Sequence, residues 1–236
     1  MTQIKQQIIA LGGGGFSMEP ENPLLDRYIL QQSNSQSPKV CFLPTASGDS
    51  DRYITRFYEA FTQLECRPTH LSLFRPPTDS LTSFLQDQDI IYVGGGSTFN
   101  LMALWKAWKL DVVLRQVWER GTVLCGLSAG SLCWFDAGLS DSVIPGQYAE
   151  LTGLGFLPGS HCPHYDGESG RRLIYQQCIS AGKLADGVAA DDGVALHYIG
   201  TELAQVVSSR PEAKAYRVYL EDENLQEDAI ATQYLG

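Results

Sequence analysis

Basic side chains are scarce in this sequence. Lys and Arg number 17 against 27 Asp and Glu, a formal net charge of −10. An acidic surface repels phosphate backbones, which removes nucleic acid from the expected partners. Long apolar runs are also missing. None approaches the roughly 20 residues of a membrane span, and Met1-Thr2-Gln3-Ile4-Lys5-Gln6 lacks the apolar stretch of a secretory signal. The expectation is a cytoplasmic protein with no membrane partner. There is no Cys-x-x-Cys pair and no Cys/His cluster at zinc spacing. Cys41 and Cys125 fall in apolar runs and Cys133 and Cys178 in helical patterns, so the six cysteines read as reduced, mostly buried thiols. Histidine is rarer still, with four in 236 residues.

What is present is a regular alternation. Hydrophobic residues make up 44 % and are spread evenly, enough for a sizeable core. Short apolar runs at 8–11, 40–43, 71–74, 90–93 and 123–127 read as strands, with further strands at 187–190, 194–198 and 203–207. Between them, 51–65 reads as a helix with Ile54, Phe57, Phe61 and Leu64 on one face. Further helices are expected over 99–108, 111–119, 131–135 and 171–180. Such a pattern predicts an α/β fold, a mostly parallel sheet covered on both faces, with antiparallel additions at one edge after residue 187. With no linker or repeat, residues 1–236 are expected to form a single domain. The acidic run Glu221-Asp222-Glu223-Asn224 reads as a solvated turn.

The run Val123-Leu124-Cys125-Gly126-Leu127 leads straight into Ser128-Ala129-Gly130 and a helical pattern. Gly-x-Ser-x-Gly in a strand–turn–helix context is the arrangement of a nucleophile elbow, which exposes a strained serine at the carboxyl edge of a sheet. The small residues let neighbouring backbone approach, and the first N–H groups of the helix face a developing oxyanion. A serine hydroxyl needs a base. His70 reads as structural and His197 as a packed strand residue. His161 and His164 flank Cys162-Pro163 in an expected loop, and His164 is the favoured base, followed by the polar Tyr165-Asp166. For the orienting acid, Asp191-Asp192-Gly193 closes a strand. Asp166, Asp136 and Asp141 are rivals.

Two glycine runs end strands, Gly12-Gly13-Gly14-Gly15 and Gly94-Gly95-Gly96. Neither matches a dinucleotide or Walker fingerprint. The second is expected to approach the scissile carbonyl and to donate a backbone N–H, whereas 12–15 reads as an ordinary tight turn.

Gly94-Gly95-Gly96-Ser97-Thr98-Phe99-Asn100-Leu101, Gly126-Leu127-Ser128-Ala129-Gly130 and Pro163-His164-Tyr165 occur here in one order. With Trp134 to Ser142 and Gly167 to Arg172, they make the chain resemble the peptidase E family, the aspartyl dipeptidases and their relatives, from about residue 8 to about 210. The resemblance implies a three-layer α/β/α sandwich, similar to class I glutamine amidotransferases and flavodoxin-like. It implies a serine dipeptidase acting through an acyl-enzyme, with Ser128 as nucleophile, His164 as base and Asp192 as acid. Ala129 and Gly95 or Gly96 would hold the oxyanion. Ser97, Thr98, Tyr165, Arg171 and Arg172 would surround a small peptide substrate. No metal or organic cofactor is implied, and the expected assembly is a monomer or homodimer. Ser97 stands where the aspartyl dipeptidases have Asn, and their carboxylate-binding arginine does not align cleanly near Gly170 and Arg171. A preference for N-terminal aspartate therefore stays open, as does cleavage of cyanophycin, an aspartate-backbone polymer.

Three other readings compete. An α/β-hydrolase esterase or amidase would use Ser128, Asp166 and His197. An amidotransferase would use Cys162 or Cys125 as a thiol nucleophile. A peptidase-fold binding protein would have kept the motifs without turnover.

Overall fold

Continuous apolar runs become strands buried on both faces, because helices cover each side of the sheet they form. The computed structural model describes residues 5–76, 80–144 and 146–236. The first four residues of the apolar-poor N-terminal stretch therefore lie outside the described residues. β1 (Gln7–Leu11), β2 (Lys39–Leu43), β3 (Arg67–His70), β4 (Ile90–Val93) and β5 (Val123–Leu127) are parallel, in the order β3-β2-β4-β5-β1. β10 (Val194–Ile199) adds antiparallel to β1, and β11 (Glu202–Ser208) and β14 (Gln233–Tyr234) complete the sheet. The mostly parallel sheet and the antiparallel addition of β10 and β11 agree with the sequence pattern, but the strand at 187–190, expected at the same edge, belongs to a second sheet, where it pairs parallel to the strand at 157–162.

Residue parity divides the core. Ile9 and Leu11 of β1 face α1 (Gly15–Met18), α2 (Leu24–Leu30) and α3 (Asp51–Phe61), packing with Phe16, Leu25, Phe57 and Phe61. Ile8 and Ala10 face the opposite side with α4 (Leu81–Gln86), α5 (Thr98–Trp108) and α6 (Leu110–Glu119), through Leu85, Trp105, Leu114 and Val117. Successive side chains on a strand point to opposite faces, so one four-residue run supplies both layers.

The third strand differs from expectation. It is Arg67–His70, paired in parallel with β2 from Lys39, and Leu71 and Leu73 are buried in the connection that follows. β3 is the edge of the sheet, so a polar sequence is tolerated and Pro68 removes no interior ladder bond. α3 also ends at Phe61 rather than 65.

A second sheet was absent from the sequence reading. β6 (Phe135–Ile144), β7 (Gln147–Thr152), β8 (Leu157–Cys162), β9 (Gly187–Ala190), β12 (Ala215–Glu221) and β13 (Asn224–Ile230) pair in the order β13-β12-β9-β8-β6-β7. Half-exposed, polar strands such as β13 lack the apolar signature, and strand preference there is decided by neighbours rather than by residue type. The helix expected over 131–135 is correspondingly a single turn, α7 (Ala129–Leu132), because Phe135 already begins β6. α8 (Arg171–Ser180) covers the second sheet, with Tyr175 and Ile179 against Cys162, Ala189 and Val218. One apolar cluster runs from Leu124 and Trp105 into Phe135, Leu157 and Ala215, joining the two sheets.

Candidate active site

Five strand ends converge: β1 at Gly12-Gly13, β4 at Gly94–Gly96, β5 at Ser128, β8 at Pro163-His164 and β9 at Asp191-Asp192. The carboxyl ends of parallel strands are where α/β sheets place their ligand sites. Ser128 lies between β5 and α7 with φ 57° and ψ −115°. His164 is likewise in positive φ, at 56°. Positive φ is costly for residues with a Cβ, and two of the six non-glycine residues that adopt it among the described residues meet here.

The two residues are anchored on consecutive carbonyls. Ser128 N donates to Leu11 O at 3.2 Å and His164 N donates to Gly12 O at 3.1 Å. Gly13, next along, lies against both partners of the His164–acid pair. A methyl there would meet Asp192 Oδ1 at 2.0 Å and His164 Nδ1 at 3.0 Å. The 12–15 run is thus more than the tight turn expected of it. It is the backbone surface on which the serine, histidine and acid segments meet.

His164 Nδ1 and Asp192 Oδ1 are 2.6 Å apart. The carboxylate accepts from Nδ1–H, which leaves the Nε2 lone pair as the basic position of the ring. Asp166, the rival acid, bonds elsewhere: its Oδ1 accepts from Asp192 N at 2.8 Å. Asp191 is also turned away, accepting from Lys214 N at 2.9 Å, and burial pushes its carboxyl up to about 6.

The other histidines have structural partners. His70 Nδ1 meets Tyr58 Oη at 2.9 Å. His197 sits in β10 between Tyr28 Oη, 2.7 Å from Nδ1, and Gln7 Oε1, 3.2 Å from Nε2, which removes the Ser128–Asp166–His197 arrangement. His161 is not in a loop but in β8, fully buried and stacked on Phe135. Its Nδ1–H donates to Val188 O at 2.8 Å and its Nε2 lies 3.1 Å from Ser131 Oγ, which donates to Ser128 O at 2.8 Å. Burial drives its imidazole down to about 4, so it is neutral at neutral pH. Cys125 and Cys162 are fully buried, and burial pushes the Cys162 thiol up to about 12 and that of Cys125 well above its ordinary range. Neither supplies the thiolate that an amidotransferase needs.

Gly95 runs past the serine, where a methyl would sit 3.3 Å from Ser128 Cβ. Gly95 N donates to Tyr53 Oη at 3.2 Å, a contact that sequence spacing does not signal. Ala129 is buried directly after Ser128, and Gly96 is exposed beside Ala46. Ser97 Oγ caps α5 by accepting from Asn100 N, and Thr98 is buried in its first turn. Both are therefore engaged in starting the helix.

Tyr165 is buried, with its hydroxyl donating to Glu227. Arg172 pairs with the same carboxylate and lies over the Tyr165 and Tyr216 rings at 5.1 and 4.8 Å. Burial would raise Glu227, but the hydrogen bonds from Tyr165, Arg172 and Gln176 outweigh it and hold the carboxyl below its usual range. Arg171 is 4 % exposed; it reaches Glu168 Oε2 through Nε and Nη2 at 2.9 and 2.7 Å, and Leu139 O through Nη1 at 3.3 Å. Its guanidinium also lies over the Tyr148 ring. The fork expected to take a substrate carboxylate is directed into the protein. Among the described residues, no group of three or more His, Cys, Asp or Glu could hold a metal ion.

A profile of peptidase family S51 matches residues 8–206, most of the chain. The chain belongs to peptidase family S51. Membership of this family makes it a serine-type peptidase at the family level. The chain is 57 % identical over 231 residues to the uncharacterized peptidase YgaJ of Bacillus subtilis (strain 168), covering 98 % of this chain and 100 % of that one. The crystal structure of a peptidase from an acI-B1 Actinobacterium superposes with a TM-score of 0.66 at 19 % identity, covering 95 % of this chain and 96 % of that one. A structure from Listeria monocytogenes EGD-e, assigned by name to peptidase E, superposes with a TM-score of 0.54 at 17 % identity, covering 96 % and 100 %. These two superpositions show a shared fold, and the peptidase E resemblance of the sequence agrees with the family match.

Proposed function

We propose that this S51 peptidase hydrolyses small peptides through an acyl-enzyme on Ser128. The observation that carries the reading is the 2.6 Å contact between His164 Nδ1 and Asp192 Oδ1, with His164 and Ser128 anchored on consecutive carbonyls. Asp192 holds the imidazole in the tautomer whose Nε2 accepts the Ser128 proton as Oγ attacks the scissile carbonyl. The N–H of Ala129 and that of Gly96 receive the oxyanion, because Gly95 N–H is already donated to Tyr53 Oη. α7 is one turn long, so the local N–H groups and not a long helix dipole supply that stabilisation. His164 then returns its proton to the leaving amine, and water releases the acyl group. The strained serine backbone keeps Oγ presented, and Ser131 braces it from behind by donating its hydroxyl to Ser128 O.

With Arg171 enclosed and Arg172 paired to Glu227, a dedicated N-terminal aspartate pocket has little support from these two arginines. Small peptides without that restriction are the substrate class this site favours.

A fluorophosphonate probe tests the nucleophile without a known substrate. The expected result is a single covalent adduct, lost in Ser128→Ala while the circular dichroism spectrum stays unchanged. Equal labelling of the variant would sink the assignment. A dipeptide library comparing Asp-Xaa with other N-terminal residues then reads specificity, and a preference confined to Asp-Xaa would overturn the unrestricted substrate class.

A further inference from the structure

The acid at residue 192 sits in a turn between β9 and β10, next to Gly193, with φ 78°. Such a turn is soft by itself, yet a carboxylate that orients an imidazole has to be held within tenths of an ångström. One ion pair grips both ends of the residue. Asp166 Oδ1 accepts from Asp192 N at 2.8 Å, and Arg210 Nη1 donates to Asp192 O at 3.0 Å. Arg210 Nη1 and Asp166 Oδ2 are 3.1 Å apart, closing the ring. Two main-chain bonds complete the support: Gly193 N to Gly13 O at 3.2 Å and Ser209 N to Gly193 O at 2.8 Å.

We propose that Arg210 and Asp166 are positioning residues that clamp the Asp192 backbone and thereby hold the His164–Asp192 contact. The proposal rests on the reading of His164 and Asp192 as base and acid. Its chemistry is simple. Asp166 stands two residues after His164 in the same loop, so its carboxylate ties the histidine segment to the acid turn. Arg210, reaching in from the connection after β11, neutralises Asp166 and fills the acceptor that Asp192 O presents. No other side chain is bonded to the Asp192 main chain among the described residues. Asp191, buried in the same turn, accepts from Lys214 N and leaves the clamp to its two members.

The pair is partly open to water, at 44 % and 33 % side-chain exposure. Partly exposed ion pairs contribute little to global stability. The clamp therefore differs from a general fold-stabilising contact in what its loss should change: site geometry, with the melting temperature nearly unmoved.

The test uses the full chain with Arg210→Ala, Arg210→Lys, Asp166→Asn and the double variant Arg210→Ala with Asp166→Asn. Asp166→Asn keeps the side-chain shape and one acceptor but removes the charge that holds Arg210. Two readouts are taken. One is the second-order rate of fluorophosphonate labelling of Ser128. The other is the downfield proton resonance of His164 Nδ1–H, assigned by its loss in His164→Gln. The expected result is a labelling rate lower by about tenfold in Arg210→Ala and Asp166→Asn, with the double variant no worse than either single one. The resonance should broaden or move upfield, and Arg210→Lys should recover part of both signals. An unmoved resonance in Arg210→Ala and Asp166→Asn overturns the clamp. So does a labelling loss that appears only with a collapse of the melting temperature in both variants. If Ser128 never labels in the parent protein, the catalytic reading fails, and the resonance still decides whether the clamp holds Asp192.

Discussion

At the scale of single residues, the site depends on close backbone approach more than on any one polar contact. Gly13 faces His164 and Asp192 with no room for a side chain, since a methyl would overlap Asp192 Oδ1 at 2.0 Å. Relief requires moving either the acid or the β1 end that carries the serine and histidine anchors. Gly13→Ala is expected to lower the labelling rate of Ser128 by about 100-fold, because displacements of about 1 Å at reacting groups have that effect. Its cost to stability should be smaller, about 1–3 kcal/mol from overpacking. Chemical denaturation beside labelling kinetics separates the two. A Gly13→Ala protein that labels at the parent rate would show that the 12–15 run is only a turn.

At the scale of elements, Arg171 joins three pieces of the second sheet's cover. Its guanidinium, at the start of α8, binds the main chain of β6 at Leu139, sits over Tyr148 of β7 and pairs with Glu168 in the preceding loop. Glu168 responds in kind: burial would raise it, but hydrogen bonds from Tyr148 and Arg171 outweigh that and keep it below the usual carboxylate range. Removing one partner of such a buried set leaves the other without compensation. Arg171→Met should therefore lower the stability by about 2–4 kcal/mol, discounted at the low end because Glu168 is partly exposed. The urea midpoint reads this directly. A variant with unchanged stability and a raised KM only for peptides bearing an extra carboxylate would restore Arg171 to substrate recognition.

At the scale of the whole molecule, two buried histidines shape the acid side of stability. His161 and His197 both titrate at about 4 in the fold, each chiefly because burial opposes the charged form, against an ordinary 6.5. The unfolded chain therefore binds more protons than the native one between those values, and stability falls as pH drops from about 6.5 to 4. For His161, fully enclosed, the loss is about 3 kcal/mol from one shift of this size. His161→Gln should keep a donor for Val188 O and reduce proton uptake on unfolding near pH 5 by about one, measured from the pH dependence of the urea midpoint. An unaltered slope would mean that the His161 imidazole is already charged in the native state. The thiols give a second global readout. All six cysteines are free, and only Cys66 is not buried. Native protein should react with a disulfide reagent slowly at about one site, and at all six after denaturation. Rapid reaction of several thiols in native protein would contradict this core.

Much of this was readable in the sequence, for identifiable reasons. Runs such as Ile8-Ile9-Ala10-Leu11 and Ile90-Ile91-Tyr92-Val93 report buried parallel strands because both of their faces must be apolar. Ser128 and His164 stand out locally, one by the small residues around it and the other by its place after Cys162-Pro163, whereas the acid pair before Gly193 marks only a region, within which the family resemblance points to Asp192. What sequence alone left open was which acid faces the histidine, what the 12–15 run does and what covers residues 135–162 and 215–230. Those depend on tertiary placement. Asp166 stays a rival to the Asp191-Asp192 pair until the turn after β9 directs Asp192 to His164 Nδ1, while Asp166 accepts from a backbone N–H. Arg210 lies far from every motif and joins the site only because β11 ends beside that turn. The polar strands β12 and β13 carry no apolar alternation strong enough to announce a sheet, and they are strands because β9 supplies a ladder to complete. Local pattern determined which segments are buried and which serine is presented. Hydrogen-bond partners reached across the chain decided which charges face one another.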